Sequence, residues 1–366
     1  MESIRILLVE DAASDIEACT STIKRYERQK KRQIECISAR TEAEAHSQLN
    51  GSYDGAIIDI KLKNDKAGTA GNDVISEIYK TWRIPIVVLT GTPENASHGC
   101  NFVGLFKKGE VSYENIFDLF YDIYNTGLTK IMGGRGKIEE ELTRVFFNNL
   151  LNPKNKDSWI THGRTDSPKT EKALLRFTLN HLMQLLYDDE DECFPEEVYI
   201  HPPLQAGLRT GSIVRNKKDN NFFVVLTPPC DLVLRESGQI KTDKILLVEI
   251  DEEDKVYGYS LGRAETETEK QKILQTILNN RHSLFHHWLP VTTFFPGGFI
   301  NFRKILSLNK KVCEKEYDKP DIQISPYFVK DILSRFSSYY ARQGQPDIDC
   351  AQIISKIITT CETKKR

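Results

Sequence analysis

The sequence predicts two folds in series: an α/β, doubly wound, five-stranded parallel sheet over residues 1–127, then an α+β domain over 138–366 with a small antiparallel sheet or barrel and several helices. Three observations carry this. Short apolar runs recur through the first third, separated by helix-period stretches, as parallel strands buried on both faces require. A glycine-rich, basic run closes that third and reads as a linker over 128–137. Beyond it, helical segments give way to strands joined by tight polar turns.

In the first third, Ile4 to Val9 is an almost unbroken strand run, and Asp15 to Tyr26 has helical spacing with acids near its start. Ile34 to Ile37 is a weaker strand, and Thr41 to Leu49 a helix with Thr41 as its N-cap. Gly55 to Ile60 is a buried strand, Asp73 to Trp82 a helix, Pro85 to Leu89 and Val103 to Phe106 strands, and Ser112 to Tyr124 an amphipathic helix. The expectation is five strands alternating with five helices.

In the remainder, Ile138 to Leu151 is a helix ended by Asn152-Pro153, and Ser167-Pro168 opens another through Leu186. The acidic run Asp188 to Glu192 reads as a solvated helix end. Strands are expected at Ser212–Val214, Phe222–Thr227, Ile245–Ile250 and Val256–Ser260, with a hairpin loop at Asn216–Asn221. Thr266 to Asn279 is a helix, Trp288 to Phe302 aromatic-rich β structure, and Ser325–Tyr340 and Ala351–Thr359 closing helices. The domain divides naturally into a helical part, 138–195, and a β-rich part, 196–366.

The 366 residues carry a net charge of −2, with 39% hydrophobic and 28% charged residues, a globular composition with no global field toward nucleic acid or an anionic membrane. No apolar run approaches the ~20 residues of a membrane span. The N-terminus enters a strand pattern within four residues, which predicts no signal peptide. The eight cysteines form no C-x-x-C pair, and their scatter predicts free thiols in a reducing cytoplasm.

Chemistry concentrates at strand ends. Glu10 and Asp11 close the first strand, Asp59 the third, Thr90 the fourth, and Lys107 and Lys108 the fifth. In an open parallel sheet these carboxyl ends face one crevice. Three carboxylates there repel one another and need a cation, and hard oxygen donors select Mg²⁺ or a similar ion.

Leu8-Val9-Glu10-Asp11, Ile57-Ile58-Asp59-Ile60, Leu89-Thr90-Gly91 and Phe106-Lys107-Lys108-Gly109 together resemble the signature elements of receiver domains of two-component response regulators, over about residues 1–130. The resemblance implies a flavodoxin-like or receiver-like sheet. It implies Asp59 as phosphoacceptor, fed by a partner histidine kinase or phosphotransfer protein. It implies Mg²⁺ held by Glu10 (largely through water), Asp11, Asp59 and the backbone carbonyl of Lys61, with Thr90 and Lys108 binding the phosphoryl group. Three departures stand out. The loop Lys61 to Gly71 is long and lacks the usual proline, Lys-Lys-Gly leaves Lys107 as an alternative to Lys108, and the switch aromatic is displaced, with Leu105 in its place beside Phe106.

The second domain has weaker signals. Gly-Ser-Ile-Val-Arg followed by Phe-Val-Val-Leu-Thr resembles the opening of MazF-type toxin barrels. Cys230 beside Asp231 is a candidate nucleophile if His201, His282, His286 or His287 supplies a base. Cys193, His201 and Cys230 lack zinc-motif spacing. Arg209, Arg215, Lys217 and Lys218 near Phe222 and Phe223 resemble a nucleic-acid surface or a solvated hairpin. No independent catalytic site is evident. The expected function is a cytoplasmic response regulator whose output domain acts by binding an unidentified protein partner. The alternatives are an enzyme or toxin-like effector using Cys230, or a nucleic-acid-binding regulator.

Overall fold

The computed structural model describes every residue except 1–2, 64, 66, 98, 100, 187–191, 206, 236–239, 263, 343–347 and 364–366, with 358–363 described by backbone alone. Contacts divide the chain into two compact units, Met1–Glu190 and Asp191–Arg366.

The first unit is built on strands β1 (Ser3–Val9), β2 (Gln33–Ala39), β3 (Gly55–Ile58), β4 (Ile86–Thr90) and β5 (Gly104–Lys107), all parallel, in the order β2-β1-β3-β4-β5. This is the doubly wound order of flavodoxin-like and receiver sheets. The apolar runs are continuous because both faces are covered. Leu7, Val9, Ala56, Ile58, Ile86 and Val88 belong to one core with helices α2 (Glu42–Gln48) and α3 (Ala70–Thr81). Ile6, Leu8, Ile57, Val87 and Leu89 belong to the other, with α1 (Ala13–Lys30) and α4 (Tyr113–Asn125). Thr41 caps α2, accepting from the Glu44 amide at 3.2 Å, and Ser112 caps α4.

The fifth expected helix is not found among the described residues. Between β4 and β5 the described residues hold only a 3₁₀ turn, Pro93–Asn95. Gly91, Pro93 and Gly99 break the segment. Leu105, on the sheet face this connection would cover, is left 41% exposed, while Phe106 packs into the opposite core.

The 128–137 run is folded onto the sheet unit. It contains α5 (Leu128–Met132); the Gly134 amide donates to Gly51 O at 2.8 Å, and Arg135 donates to Ser52 O at 2.8 Å. Arg83 bonds both Met132 O and Glu139. A Cβ on Gly134 would lie 2.5 Å from Gly51 Cα, so the close backbone approach demands glycine. Helix α6 (Lys137–Arg144) then widens into a π-helical turn over Val145–Leu150. Asn152 ends that segment and also caps an unforeseen helix, α7 (Pro153–Thr165), accepting from the Lys154 amide at 3.0 Å. Helix α8 (Ser167–Met183) follows. All these helices belong to the first unit. Of the acidic run, Asp188 to Asp191 lie outside the described residues.

The second unit holds a curled antiparallel sheet of β6 (Tyr199–Ile200), β7 (Ser212–Arg215), β8 (Phe222–Val225), β9 (Lys244–Asp251), β10 (His286–Leu289), β11 (Gly298–Asn309) and β12 (Ile322–Ile324), ordered β10-β11-β9-β8-β7-β12-β6. β11 bends where its register with β9 shifts between Ile300 and Ile305. The helices are α9 (Pro229–Leu232), α10 (Glu253–Leu261), α11 (Glu267–Leu278), α12 (Lys310–Glu316), α13 (Pro326–Tyr340) and α14 (Ala351–Thr363). The strand expected at Val256–Ser260 is part of α10. Glu253 and Asp254 favour a helix N-terminus there, and Val256 and Ser260, four apart, are the buried positions.

Candidate functional site

The register of the parallel sheet brings the strand-end residues together. Val9 pairs with Ile58, so Glu10 and Asp11 leave β1 level with Asp59 leaving β3. Thr90 pairs with Lys107, and the Lys108 amide continues the ladder to Thr90 O at 2.9 Å. Glu10, Asp11 and Asp59 present carboxylate oxygens within 4.8 Å of one another, the single such group among the described residues. Glu10, Asp59 and Thr90 are buried. Asp11, Asp59, Lys61, Thr90, Thr92 and Lys108 line one cleft of about 710 Å³.

Of the two lysines, Lys108 is the one whose side chain enters the cleft. Its Nζ lies 2.7 Å from Asp59 Oδ2, 2.7 Å from Glu10 Oε2 and 2.7 Å from Asp15 Oδ2. Lys107 is exposed and uses its backbone amide to bond Glu110. Burial by itself would lower the Lys108 pKa, but the hydrogen bonds to Asp15, Asp59 and Glu10 outweigh it and raise it, so the ammonium is permanent. Burial pushes the Glu10 carboxyl above its ordinary value, opposed by the hydrogen bonds from Lys108 and the Ala12 amide. Asp15, in the first turn of α1, was not singled out in the sequence; its signal was an acid one turn beyond the Glu10-Asp11 strand end.

The described residues of the long loop after Asp59 brace the acid from behind. Leu62 is buried, and Asp65 accepts from the amides of Ala67 at 2.9 Å and Ala70 at 2.7 Å. These bonds hold the Asp65 carboxyl below its ordinary pKa, the Ala70 amide contributing most. The Lys61 amide donates to Asp59 Oδ1 at 3.2 Å, and the Gly71 amide returns the chain to Ile60 O at 2.9 Å. A Cβ on Gly71 would lie 2.2 Å from Asp59 O, so the loop closes behind the acid only with glycine there.

The second-unit candidates do not assemble. Cys230 is exposed, and its described polar contact is with its neighbour Asp231 at 3.8 Å. Asp231 is paired instead with Lys241 at 3.4 Å. The histidines are engaged elsewhere: His201 stacks on Phe294, His282 meets Ser260, His286 meets Asp251, and His287 is buried near Asp331. Cys193, His201 and Cys230 form no ligand cluster among the described residues. The basic hairpin is partly charge-matched: Arg215 pairs with Asp318 at 3.1 Å and Lys218 with Glu316 at 3.8 Å, while Lys217 donates to Lys315 O and Arg209 to Gln205. Phe223 is buried and Phe222 packs on Phe295, so neither presents a stacking face.

No family model matches the chain, and no curated protein matches it. The N-terminal third is similar to solved receiver structures. The bacteriophytochrome response regulator AtBRR shares 23% identity over 34% of this chain and 94% of its own, with a TM-score of 0.25. The receiver domain of PhyR from Erythrobacter litoralis shares 19% over 34% and 92%, with a TM-score of 0.27. The response regulator domain of Thermotoga maritima CheB shares 16% over 34% and 98%, with a TM-score of 0.26. The fold of residues 3–125 is defined by its own strand order and by the two-sided core around it. No described helix is long and apolar enough to cross a membrane.

Proposed function

We propose that this protein is a cytoplasmic two-component response regulator in which Asp59 takes a phosphoryl group from a histidine kinase or phosphotransfer protein. The observation that carries this reading is the convergence of Glu10, Asp11 and Asp59 within 4.8 Å, with Lys108 Nζ 2.7 Å from Asp59 Oδ2. An Asp59 carboxylate oxygen forms the new bond to phosphorus as the donor's N–P bond breaks, and the bonding pair leaves with the imidazole nitrogen. Lys108 holds Asp59 in position and neutralises charge as the phosphoryl arrives. Thr90, at the next strand end, hydrogen-bonds a phosphoryl oxygen of the product.

Glu10, Asp11, Asp15 and Asp59 bring four negative charges and Lys108 one positive, leaving −3 before any phosphoryl group enters. Hard oxygen donors with that surplus fit Mg²⁺. Glu10, Asp11, Asp59 and the Lys61 carbonyl would hold it, and it would supply the charge neutralisation the phosphoryl transfer needs. Output by protein–protein contact is supported by large apolar side chains left exposed on the helical segments, among them Phe147 and Leu175, each 61% exposed.

The test is incubation of the full chain with acetyl phosphate and Mg²⁺, read by intact mass. One phosphoryl adduct is expected on the native protein and none on Asp59→Asn. An adduct that persists in Asp59→Asn removes Asp59 as the acceptor.

A further inference from the structure

A lysine ammonium has three N–H donors, and in Lys108 three carboxylates take them. Glu10 Oε2, Asp15 Oδ2 and Asp59 Oδ2 each lie 2.7 Å from Nζ. Every N–H of the resting chain is engaged, so a phosphoryl oxygen arriving beside Asp59 finds no free donor on Lys108. One of the three bonds has to be given up.

The three acids differ in what that costs. Glu10 is 2% exposed, and loss of the ammonium would leave it a buried, unpaired charge. Asp59 is the acceptor, and Lys108 has to stay beside it as the phosphoryl group arrives. The Asp15 side chain is 34% exposed, so water can replace the ammonium there. Asp59 and Lys108 line the cleft, whereas Asp15 does not. Asp15 is fixed in the first turn of α1, where its amide donates to Ala12 O at 3.1 Å and its carbonyl accepts from the Tyr113 hydroxyl at 3.4 Å. Its carboxylate therefore meets the chemistry of the cleft through Lys108.

We propose that Asp15 is a positioning residue that restrains the Lys108 ammonium, and that a phosphoryl group enters the site by displacing Asp15 from it. The proposal rests on Asp59 as the phosphoacceptor. Asp15 competes for the cation: it fixes Lys108 in the empty site and weakens the hold of the site on phosphoryl groups. As an Asp59 oxygen bonds phosphorus, negative charge gathers on the phosphoryl oxygens, and the N–H released from Asp15 meets one of them.

The test uses the full chain at saturating Mg²⁺ with two probes, beryllofluoride as a phosphoryl mimic and acetyl phosphate as a donor. Asp15→Asn keeps the shape of the side chain and removes its charge. It should tighten beryllofluoride about 3- to 10-fold. It should lower the half-saturating acetyl phosphate concentration by a similar factor and leave the maximal rate within about twofold of native. Asp15→Ser should give the same readings, which covers a folding defect peculiar to the amide. Asp15→Glu restores a carboxylate and should return both quantities toward native. Glu17→Gln removes a charge from an exposed position of the same helix and should change neither. Unchanged or weaker beryllofluoride binding in Asp15→Asn and Asp15→Ser, with native uptake intact, overturns the role of Asp15 alone. An equal gain in Glu17→Gln does the same. A native chain that takes up neither probe overturns the phosphoacceptor reading, and this proposal with it.

Discussion

Lys108 Nζ lies 2.7 Å from Asp59 Oδ2, although the two residues are carried by strands on either side of β4. The side chain crosses the cleft to do this, and the same nitrogen meets Glu10 and Asp15.

Replacing that ammonium should be felt in stability as well as in chemistry. Lys108→Ala leaves Glu10 buried among three other acids, Asp11, Asp15 and Asp59, which should cost about 3 kcal/mol in urea unfolding without Mg²⁺. Added Mg²⁺ should return part of the loss. Phosphoryl incorporation from acetyl phosphate should fall at least tenfold. Lys107→Ala, at an exposed side chain, should change neither quantity, and an equal effect of the two substitutions would reassign the active lysine.

Gly71→Ala tests the brace behind the acid. The added methyl meets backbone, Asp59 O at 2.2 Å and Ile60 Cα at 2.7 Å, and backbone cannot rotate away. A destabilisation of about 1–3 kcal/mol is expected, together with slower phosphorylation of Asp59. Gly68→Ala, with open space around its Cβ but a φ of +70°, should cost less, about 1 kcal/mol, and leave the phosphorylation rate near native.

Acid should destabilise the second unit through His287. Its folded pKa of about 4 lies below the unfolded value of about 6.5, so the native state resists protonation. The stabilising contribution is fully present above about pH 6.5 and is lost as pH falls toward 4, by about 3 kcal/mol. Asp331 and Arg335 are the charged groups facing the ring, one raising and one lowering its pKa. Urea unfolding followed by Trp288 fluorescence, in a chain with Trp82 and Trp159 replaced by Phe, should show this slope, and His287→Phe should flatten it. An unchanged slope in that variant would place the acid sensitivity elsewhere.

Thiol labelling should follow burial. Cys193, Cys230 and Cys350 are exposed, whereas Cys19 and Cys313 are buried. Burial also pushes the Cys313 thiol up to about 11, which leaves little thiolate at neutral pH. Iodoacetamide at pH 8 followed by peptide mass spectrometry should modify the first three well before the last two. Cys230→Ala should leave unfolding nearly unchanged, because Cys230 is exposed.

The acidic cleft was readable from residues because each member ends an apolar run, and parallel strands stack their carboxyl ends in one place. Asp15 escaped because its role depends on where the first turn of α1 points. Val256–Ser260 reads as a strand because its alternating aromatics imitate one, while Glu253 and Asp254 mark a helix start. α7 went unnoticed because it buries no residue and so leaves no apolar stripe to detect.

The Gly51–Gly134 contact changes what the glycine-rich run means. Its composition reads as a linker, yet two backbones that touch without side chains act as a rivet within it. The chain that leaves α4 is fastened to the loop leading into β3, the central strand of the same sheet, before α6 begins. The helices that follow therefore start from a fixed anchorage, and their orientation is inherited from the sheet instead of being set by the length of a tether.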